Sequence, residues 1–296
     1  MTRILALLGP TASGKSEIAL AVADRRQIPI VSVDSMQVYR GLDIGTAKPT
    51  AAEQARVQHY MIDVVEPEVD YSVAEFQGEA RRLIAAEEEV LIVGGSGLHF
   101  RSLVDPLEFP PTDPELRSEL ETMPDPVAAL VGADPVAGEV VDLANPRRVV
   151  RALEIFHLTG LTPSMRRRQQ QRRHFDAYVP QHHFVVAGLD AGPALGERIV
   201  RRVQAMRETG WWDEVQSLGG RLGRTASGAV GYRELRQAQT GHRDPEKVWG
   251  EVVVATNGLA RRQRTYFRRD PRIRWVPWAT EFTARLRAVE EMLDLK

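Results

Sequence analysis

Residues 9–16 have the types and spacing that bind phosphate groups. The stretch reads Gly9-Pro10-Thr11-Ala12-Ser13-Gly14-Lys15-Ser16 and fits the pattern G-x-x-x-x-G-K-[ST]. Glycine allows backbone N–H groups to point at an anion, and the start of a following helix adds partial positive charge. Lys15 supplies a full positive charge to the phosphates, and the Ser16 hydroxyl can ligate Mg²⁺. The stretch predicts a phosphate-binding loop (P-loop); the alternative is an ordinary strand-to-helix turn.

Asp34 and Ser96 stand at the ends of two other apolar stretches, each of which predicts a buried strand. Asp34 closes residues 29–34, and Ser96 follows residues 90–93. An acidic side chain that faces phosphates can organise Mg²⁺ or act as a general base, whereas the structural alternative is a turn aspartate. Ser96 taken alone favours an ordinary loop serine. Because ligands bind beyond the carboxyl ends of parallel strands, we expect the P-loop and both residues to share one rim.

Arginines concentrate in two parts of the chain, while the first third is not enriched. One group lies between Arg147 and Arg173; it includes Arg166–Arg168 and surrounds Gln169–Gln171. The other lies near the end of a long helical pattern at 247–268. Such clusters either form a solvated face or contact a phosphate backbone. The glutamines favour nucleic acid, because their amides can hydrogen-bond to bases and sugars.

The order of the hydrophobic patterns predicts an α/β fold. Strand and helix patterns alternate up to residue 111, where a proline-rich segment marks a boundary. Only helical patterns occur over 112–181, and a strand pattern returns at 184–189. We therefore predict a P-loop NTPase-like parallel sheet covered by helices, built from residues 1–111 and 182–296, with an all-helical insertion at 112–181.

Local signals predict several element boundaries. Ser72 and Glu75 form the pattern of a capping box, and Asn145-Pro146 is typical of a helix start. The stretch Met61-Ile62-Asp63-Val64-Val65, apolar except for Asp63, predicts a strand. Gly210 is expected to end the helix that begins near residue 195.

Composition excludes several classes of protein. The chain has 296 residues, a formal net charge of −1 and no cysteine. It is therefore no polycation overall, and disulfides, thiol catalysis and Cys-ligated zinc are excluded. No stretch approaches the length of a membrane span, and the apolar run before the P-loop is too short for a signal peptide. We expect a cytoplasmic protein without membrane contact.

The P-loop and the block Asp34–Pro49 together resemble the tRNA dimethylallyltransferase family. The similarity extends in order along nearly the whole chain, through Tyr71-Ser72, Val93–Leu98, Asp113–Arg117, Pro146–Glu154, Val230–Glu234 and Ala260–Gln263. The resemblance implies transfer of a dimethylallyl group from its diphosphate to N6 of the tRNA adenosine just 3′ of the anticodon (position 37). It also implies that the P-loop holds a diphosphate and not ATP.

The same resemblance implies catalytic and donor-binding roles. Lys15, Ser16 and Mg²⁺ would stabilise the charge of the leaving diphosphate. Asp34 would accept the N6 proton, and Ser96 would hydrogen-bond near the reacting centre. Arg198 or Arg202 would help to hold the diphosphate, and the sequence does not choose between them. The implied partners are dimethylallyl diphosphate and the tRNA anticodon stem-loop, and the protein is expected to be a monomer.

The family's tRNA-contacting segments correspond to residues in several parts of this chain. The implied contacts are Asp34, Ser35, Met36, Gln37, Ser96, Arg117, Arg147, Arg148, Arg151, Gly231, Tyr232 and Arg233. Two residues depart from the family pattern, since Ser96 stands where threonine is usual and His99 where tyrosine is usual. Three alternatives stay open: a small-molecule kinase, an RNA-binding protein with a relic P-loop, and an enzyme that prenylates free adenine nucleotides.

Overall fold

The computed structural model describes residues 2–172, 178–241 and 244–294, and the chain divides into two compact units. The first unit combines Met1–Pro106 with Pro180–Lys296, and the second is Leu107–Val179. The sequence-based boundaries stood at residues 112 and 181.

The first unit is built on a parallel six-stranded sheet in the order β3-β2-β4-β1-β5-β6. The strands are β1 Arg3–Leu8, β2 Ile30–Ser32, β3 His59–Tyr60, β4 Glu89–Gly94, β5 Phe184–Leu189 and β6 Arg274–Val276. Each connection between neighbouring strands is a crossover, as a parallel sheet requires.

Thirteen α-helices lie between and after the strands in the described parts of the chain. They are α1 Lys15–Arg26, α2 Ala51–Arg56, α3 Val73–Ala85, α4 Gly97–Val104, α5 Pro114–Glu121, α6 Pro126–Ala133, α7 Pro146–Thr159, α8 Pro163–Arg172, α9 Leu195–Glu208, α10 Trp211–Leu218, α11 Tyr232–Thr240, α12 Pro245–Arg268 and α13 Phe282–Asp294. The described residues of the second unit contain helices α5–α8 and no strand. The expected α/β fold with an all-helical insertion is confirmed.

Both faces of the sheet are buried. Successive side chains of β1 point to opposite faces, so Leu5 and Leu7 join a core with Ile18 of α1 and Val289 of α13. Ala6 and Leu8 join a larger core on the other face, which α3, α4 and α9–α12 cover. This double burial explains why the strands read as unbroken apolar runs instead of alternating patterns.

Several local predictions agree with the structure. Ser72 and Glu75 form the capping box of α3, with both reciprocal hydrogen bonds present. Asn145 caps α7 by accepting from the Arg148 amide, and Pro146 occupies its first turn.

One local prediction was wrong. Residues 61–65 form no named strand: β3 ends at Tyr60, and Met61 and Asp63 have positive φ angles of 64° and 53° that interrupt the extended backbone. The prediction for Gly210 is confirmed: α9 ends at Glu208 with Thr209 as its cap residue, and Gly210 follows with φ 100°, the left-handed conformation that ends many helices. Gly210 also directly precedes α10.

Candidate active site

The strands β2, β4 and β1 are neighbours, so the loops after them leave the sheet at one edge. The register aligns Leu8 with Gly94, the last residues of β1 and β4. Beyond the strands, the Gly9 amide donates to the Gly94 carbonyl at 3.3 Å, and the Ser96 amide donates to the Val33 carbonyl at 3.1 Å. The expected common rim of the P-loop, Asp34 and Ser96 is confirmed.

Close packing and backbone conformation fix the P-loop. A Cβ atom at Gly9 would lie 2.1 Å from the Leu189 carbonyl oxygen. Gly14 directly precedes α1 and has φ 88°, a conformation that favours glycine. Ser13 is fully buried, and its hydroxyl has no hydrogen-bond partner within the described parts of the chain. The loop therefore enters the helix in one defined geometry.

A cavity of about 300 Å³ lies against this loop and is called the cationic cavity below. It is lined by Ala12, Gly14, Lys15, Ser16, Glu17, Arg198, Arg201 and Arg202. Arg198 donates from Nε to the Ala12 carbonyl at 2.7 Å, and Lys15 donates to the Pro10 carbonyl at 3.3 Å. Among the described residues, four cationic side chains and one acidic side chain surround the space. This excess of positive charge suits a polyanion.

Burial and mutual repulsion perturb these cations. Burial lowers the pKa of Lys15 to about 8, with the Arg202 charge acting in the same direction and Asp34 opposing it. Burial also lowers the pKa of Arg202, and Asp34 opposes that shift. A bound anion would favour the charged form of both groups.

A second space, the central cavity, has a volume of about 410 Å³ and shares Lys15, Ser16, Glu17 and Arg202 with the cationic cavity. Its other polar lining residues include Asp34, Gln37, Lys48, Tyr232 and Gln263. A phosphate group beside Lys15 and an organic group beside Asp34 could therefore occupy adjoining spaces.

Asp34 stabilises a local turn and also lines the central cavity. Its Oδ1 accepts a hydrogen bond from the Met36 amide at 2.9 Å. The structural alternative of a turn aspartate is thus part of its role. A carboxylate offers further acceptor sites, so this bond leaves capacity for a second partner.

Gln37 lines the central cavity together with Asp34 and holds the loop at Thr46 and Ala47. Its Oε1 accepts from the Ser32 hydroxyl at 2.8 Å, and its Nε2 donates to the carbonyls of Thr46 and Ala47 at 3.2 and 3.3 Å. Both amide ends are therefore engaged within the protein.

Ser96 and His99 occupy the start of α4. Ser96 Oγ accepts from the Ser35 amide at 3.4 Å and lies 3.5 Å from the Ser35 hydroxyl. Burial lowers the pKa of His99 to about 4, while Asp34 opposes the shift. His99 is therefore a neutral imidazole at neutral pH, and it packs edge-to-face on Phe76 with ring centroids 4.7 Å apart.

Glu214 of α10 fixes the loop that forms another wall of the central cavity. Its carboxylate accepts hydrogen bonds from the amides of residues 43–45 at 2.7 to 3.3 Å and from the Tyr232 hydroxyl. The Trp211 ring packs so closely that a Cβ atom at Gly45 or Gly231 would lie about 2 Å from it. One helix thus holds two loops of the site.

Sequence reasoning gave no role to Glu214, Trp211 or Gln263. Gln263 accepts from the Thr11 amide across 252 positions of sequence, and Glu214 contacts Ile44 across 170 positions. No local sequence pattern indicates a contact between residues so far apart along the chain. Gln263 does lie within a segment that carried the family resemblance, which was the one available signal.

The expected tRNA-contacting residues lie in both units. Ser35, Met36, Gln37, Gly231, Tyr232 and Arg233 belong to the first unit, and Arg117, Arg147, Arg148 and Arg151 to the second. Tyr232 is fully buried, and Arg233 pairs with Glu234.

Within the second unit, Arg117 and Arg151 both bind the carboxylate of Glu154 at 2.7 Å. That carboxylate has no exposed surface. Arg147 and Arg148 are exposed. Arg167 donates to the Glu139 carbonyl at 3.0 Å. Of the basic stretch, the side chains from 170 to 177 lie outside the described residues.

No group of three or more His, Cys, Asp or Glu side chains suited to a metal ion occurs over the described ranges. Ser16 and Asp34 nevertheless offer oxygen donors on one cavity. That donor set fits Mg²⁺, which is often held by one carboxylate together with substrate phosphates and waters. Among the same residues, no helix is long and apolar enough to cross a bilayer.

The fold and the loop Gly9–Ser16 define a P-loop type of α/β protein with a positively charged cavity beside the loop. The family model described as IPP transferase matches residues 37–270. The chain belongs to the IPP transferase family.

The chain is 44% identical over 295 residues to a tRNA dimethylallyltransferase of Streptomyces avermitilis, covering 94% of this chain and 91% of the relative. It resembles the crystal structure of a tRNA isopentenylpyrophosphate transferase from Bacillus halodurans, with TM-score 0.68, 31% identity and coverage of 99% and 98%. A eukaryotic dimethylallyltransferase crystallised acting on tRNA has TM-score 0.76 at 20% identity, covering 96% of this chain and 77% of the other, and supports the fold alone.

Proposed function

We propose that this chain transfers a dimethylallyl group from dimethylallyl diphosphate to N6 of adenosine 37 in tRNA. The C1–O bond of the donor breaks, a C1–N6 bond forms, and diphosphate and N6-(dimethylallyl)adenosine are the products. The names of the relatives support this reaction. The observation that carries the proposal is that Lys15 and Asp34 line one central cavity, where an anionic leaving group and a proton acceptor are both needed.

On the donor side, the P-loop residues Gly9–Ser16 bind the diphosphate, with Lys15 and the guanidinium groups of Arg198 and Arg202 around its oxygens. The sequence left open which arginine contributes. Both line the cationic cavity beside Lys15, which supports a role for both. Their charges stabilise the negative charge that develops on the leaving group, and that stabilisation is stronger in a buried site than in water.

Mg²⁺ is the proposed cofactor. When bound, it would neutralise charge on the diphosphate oxygens. The Ser16 hydroxyl would hold it, with the Asp34 carboxylate as the nearby acidic group.

On the acceptor side, the Asp34 carboxylate takes the N6 proton, and the Ser96 hydroxyl hydrogen-bonds near the reacting nitrogen. The target base has to leave the anticodon stack to reach a site beside Asp34. Ser35, Met36, Gln37, Gly231 and Arg233 contact the tRNA from the first unit, and the buried Tyr232 contributes from the lining of the central cavity. Arg117, Arg147, Arg148 and Arg151 contact the tRNA from the helical unit. The enzyme acts as a monomer in the cytoplasm, where tRNA is available.

Mass spectrometry of an unmodified tRNA with adenosine at position 37 tests the proposal. The tRNA is incubated with the protein, Mg²⁺ and dimethylallyl diphosphate, with a parallel sample that contains ATP instead. The expected result is a prenyl mass gain on that adenosine in the first sample alone. No gain, with ATP consumed in the second sample, would assign the protein to the P-loop kinases instead.

A further inference from the structure

Trp278, between β6 and α13, lies against two arginines beside the P-loop. The Arg198 Cζ atom is 5.1 Å from the centroid of the Trp278 ring, and the Arg285 Cζ atom is 4.9 Å from it. Both distances are within the range of a cation–π interaction, for which tryptophan is the best of the aromatic side chains.

Arg285 fixes the segment that carries this tryptophan. Its side chain is 4% exposed, and its Nη1 donates to the carbonyls of Ala279 and Thr280 at 2.9 and 2.6 Å. These two residues directly follow Trp278. Its Nη2 lies 3.9 Å from the Glu17 carboxylate at the start of α1. The indole therefore has a defined position beside the cationic cavity.

Arg198 in turn bridges Trp278 and the P-loop. Its Nε donates to the Ala12 carbonyl at 2.7 Å, and a Cβ atom at Gly14 would lie 3.1 Å from its Nη2. It shares the cationic cavity with Lys15, Arg201 and Arg202, whose like charges disfavour its position there, while Glu17 is the acidic residue in the lining. A long side chain under such repulsion needs an anchor to stay beside the loop.

We propose that Trp278 is a positioning residue that holds the Arg198 guanidinium in place for the diphosphate. A carboxylate in this place would also anchor Arg198, but it would cancel the charge that an anion needs. The face of an indole attracts the cation without neutralising it. This inference rests on the proposed function, because it concerns binding of the same diphosphate.

Binding of inorganic diphosphate to the full chain, measured by isothermal titration at fixed Mg²⁺, tests the inference without the transfer reaction. Trp278→Leu is expected to raise the Kd about tenfold, and Trp278→Phe, which keeps an aromatic face, about threefold. Trp275→Leu is the matched control, since Trp275 is a half-buried tryptophan of β6 that packs against Gly188. It is expected to leave the Kd unchanged.

The decisive comparison repeats the substitutions in an Arg198→Ala background. If Trp278 acts through Arg198, neither Trp278→Leu nor Trp278→Phe raises the Kd further there. An equal rise in both backgrounds, or no rise in either, would overturn the inference. If Trp278→Leu fails to fold, the same comparison between the two backgrounds is made with Trp278→Phe.

The inference and the proposed function fail in different ways. Diphosphate binding that depends on Trp278, together with no prenyl transfer to tRNA, would overturn the proposed function and leave this inference intact. A wild-type protein that binds no diphosphate would overturn both.

Discussion

Gln263 of α12 accepts a hydrogen bond from the backbone amide of Thr11 at 2.8 Å, across 252 positions of sequence. The same side chain reaches the strand end at Gly95, where a Cβ atom would lie 2.3 Å from its Nε2. One glutamine of the last long helix therefore joins the P-loop to the neighbouring strand end. Because this contact comes from a distant helix, it holds the P-loop in its conformation before a ligand binds.

Gln263→Leu is expected to lower the free energy of unfolding by about 1–3 kcal/mol, because it leaves the Thr11 amide without its acceptor. Urea denaturation measures the change. Gln204→Leu on the exposed face of α9 is the control and should stay within about 0.5 kcal/mol of the wild type. Equal stability of the two variants would mean that the bond contributes nothing.

Asp34→Asn separates the two roles of Asp34. Asparagine keeps an oxygen for the Met36 amide but cannot accept the N6 proton. We expect kcat for prenyl transfer to fall by roughly 10²–10⁴. Binding of tRNA, measured by filter retention, should change little. A near-normal rate would mean that Asp34 only stabilises the turn and does not accept the N6 proton.

The affinity for dimethylallyl diphosphate should depend on pH through Lys15. Its pKa is lowered to about 8 in the free protein, so the side chain is charged below that pH and loses its proton above it. The Kd should be flat below pH 8 and then rise by up to about tenfold per pH unit, since binding must first restore the proton. Equilibrium titration from pH 6.5 to 9.5 measures this.

Lys15→Arg is the matched control for that titration, because arginine stays charged over the whole range. Its affinity should be lower overall and lack the break near pH 8. If the Kd of the wild type shows no change of slope near pH 8, the protonation of Lys15 does not affect binding of the donor.

Glu154 should make the helical unit sensitive to acid. Burial opposes its ionisation, but hydrogen bonds from Arg117, the Asp113 amide and Arg151 outweigh burial and hold the pKa of Glu154 below its ordinary value. The ionised form is therefore favoured by folding. Its contribution to stability is complete above the ordinary pKa and is lost as the pH falls through the folded value.

Glu154→Gln tests this contribution by hydrogen exchange of α5 and α7. At pH 7 the variant should be destabilised by about 3 kcal/mol, because two arginines lose their buried counter-ion. It should also lose the acid dependence. Glu119→Gln, at an exposed position of α5, should behave like the wild type; identical behaviour of Glu154→Gln would contradict the account.

The basic stretch of α8 should contribute to the salt dependence of tRNA binding. Replacing Arg167 and Arg168 by glutamine should lower the slope of log K against log salt by about 0.7–0.9 for each tRNA phosphate that is no longer neutralised. Arg82→Gln on the exposed side of α3 is the control. An unchanged slope would mean that these arginines form only a solvated face.

Local sequence patterns were sufficient for much of this architecture. The P-loop, the capping box at Ser72 and the start of α7 depend on a few neighbouring residues, and each forms as expected. The shared rim followed from the general rule that parallel strands end at one edge. The prediction failed at 61–65, where a mostly apolar stretch carries two positive φ angles that its pattern does not reveal.

The supports of the site were beyond the reach of sequence patterns. Glu214, Gln263 and Trp278 act on segments far away along the chain. Each is an ordinary residue of a helix or a loop until folding brings its partner near. Their roles depend on tertiary distances, which a single sequence does not contain.

In the proposed reaction the P-loop holds a prenyl diphosphate, and cleavage of that diphosphate drives alkylation of the base. The most direct test counts the diphosphate released for each prenylated adenosine in a reaction without ATP. We expect one diphosphate per modified adenosine and no release when tRNA is omitted. Prenylation that requires ATP hydrolysis, or diphosphate release without any modified base, would contradict the proposed reaction.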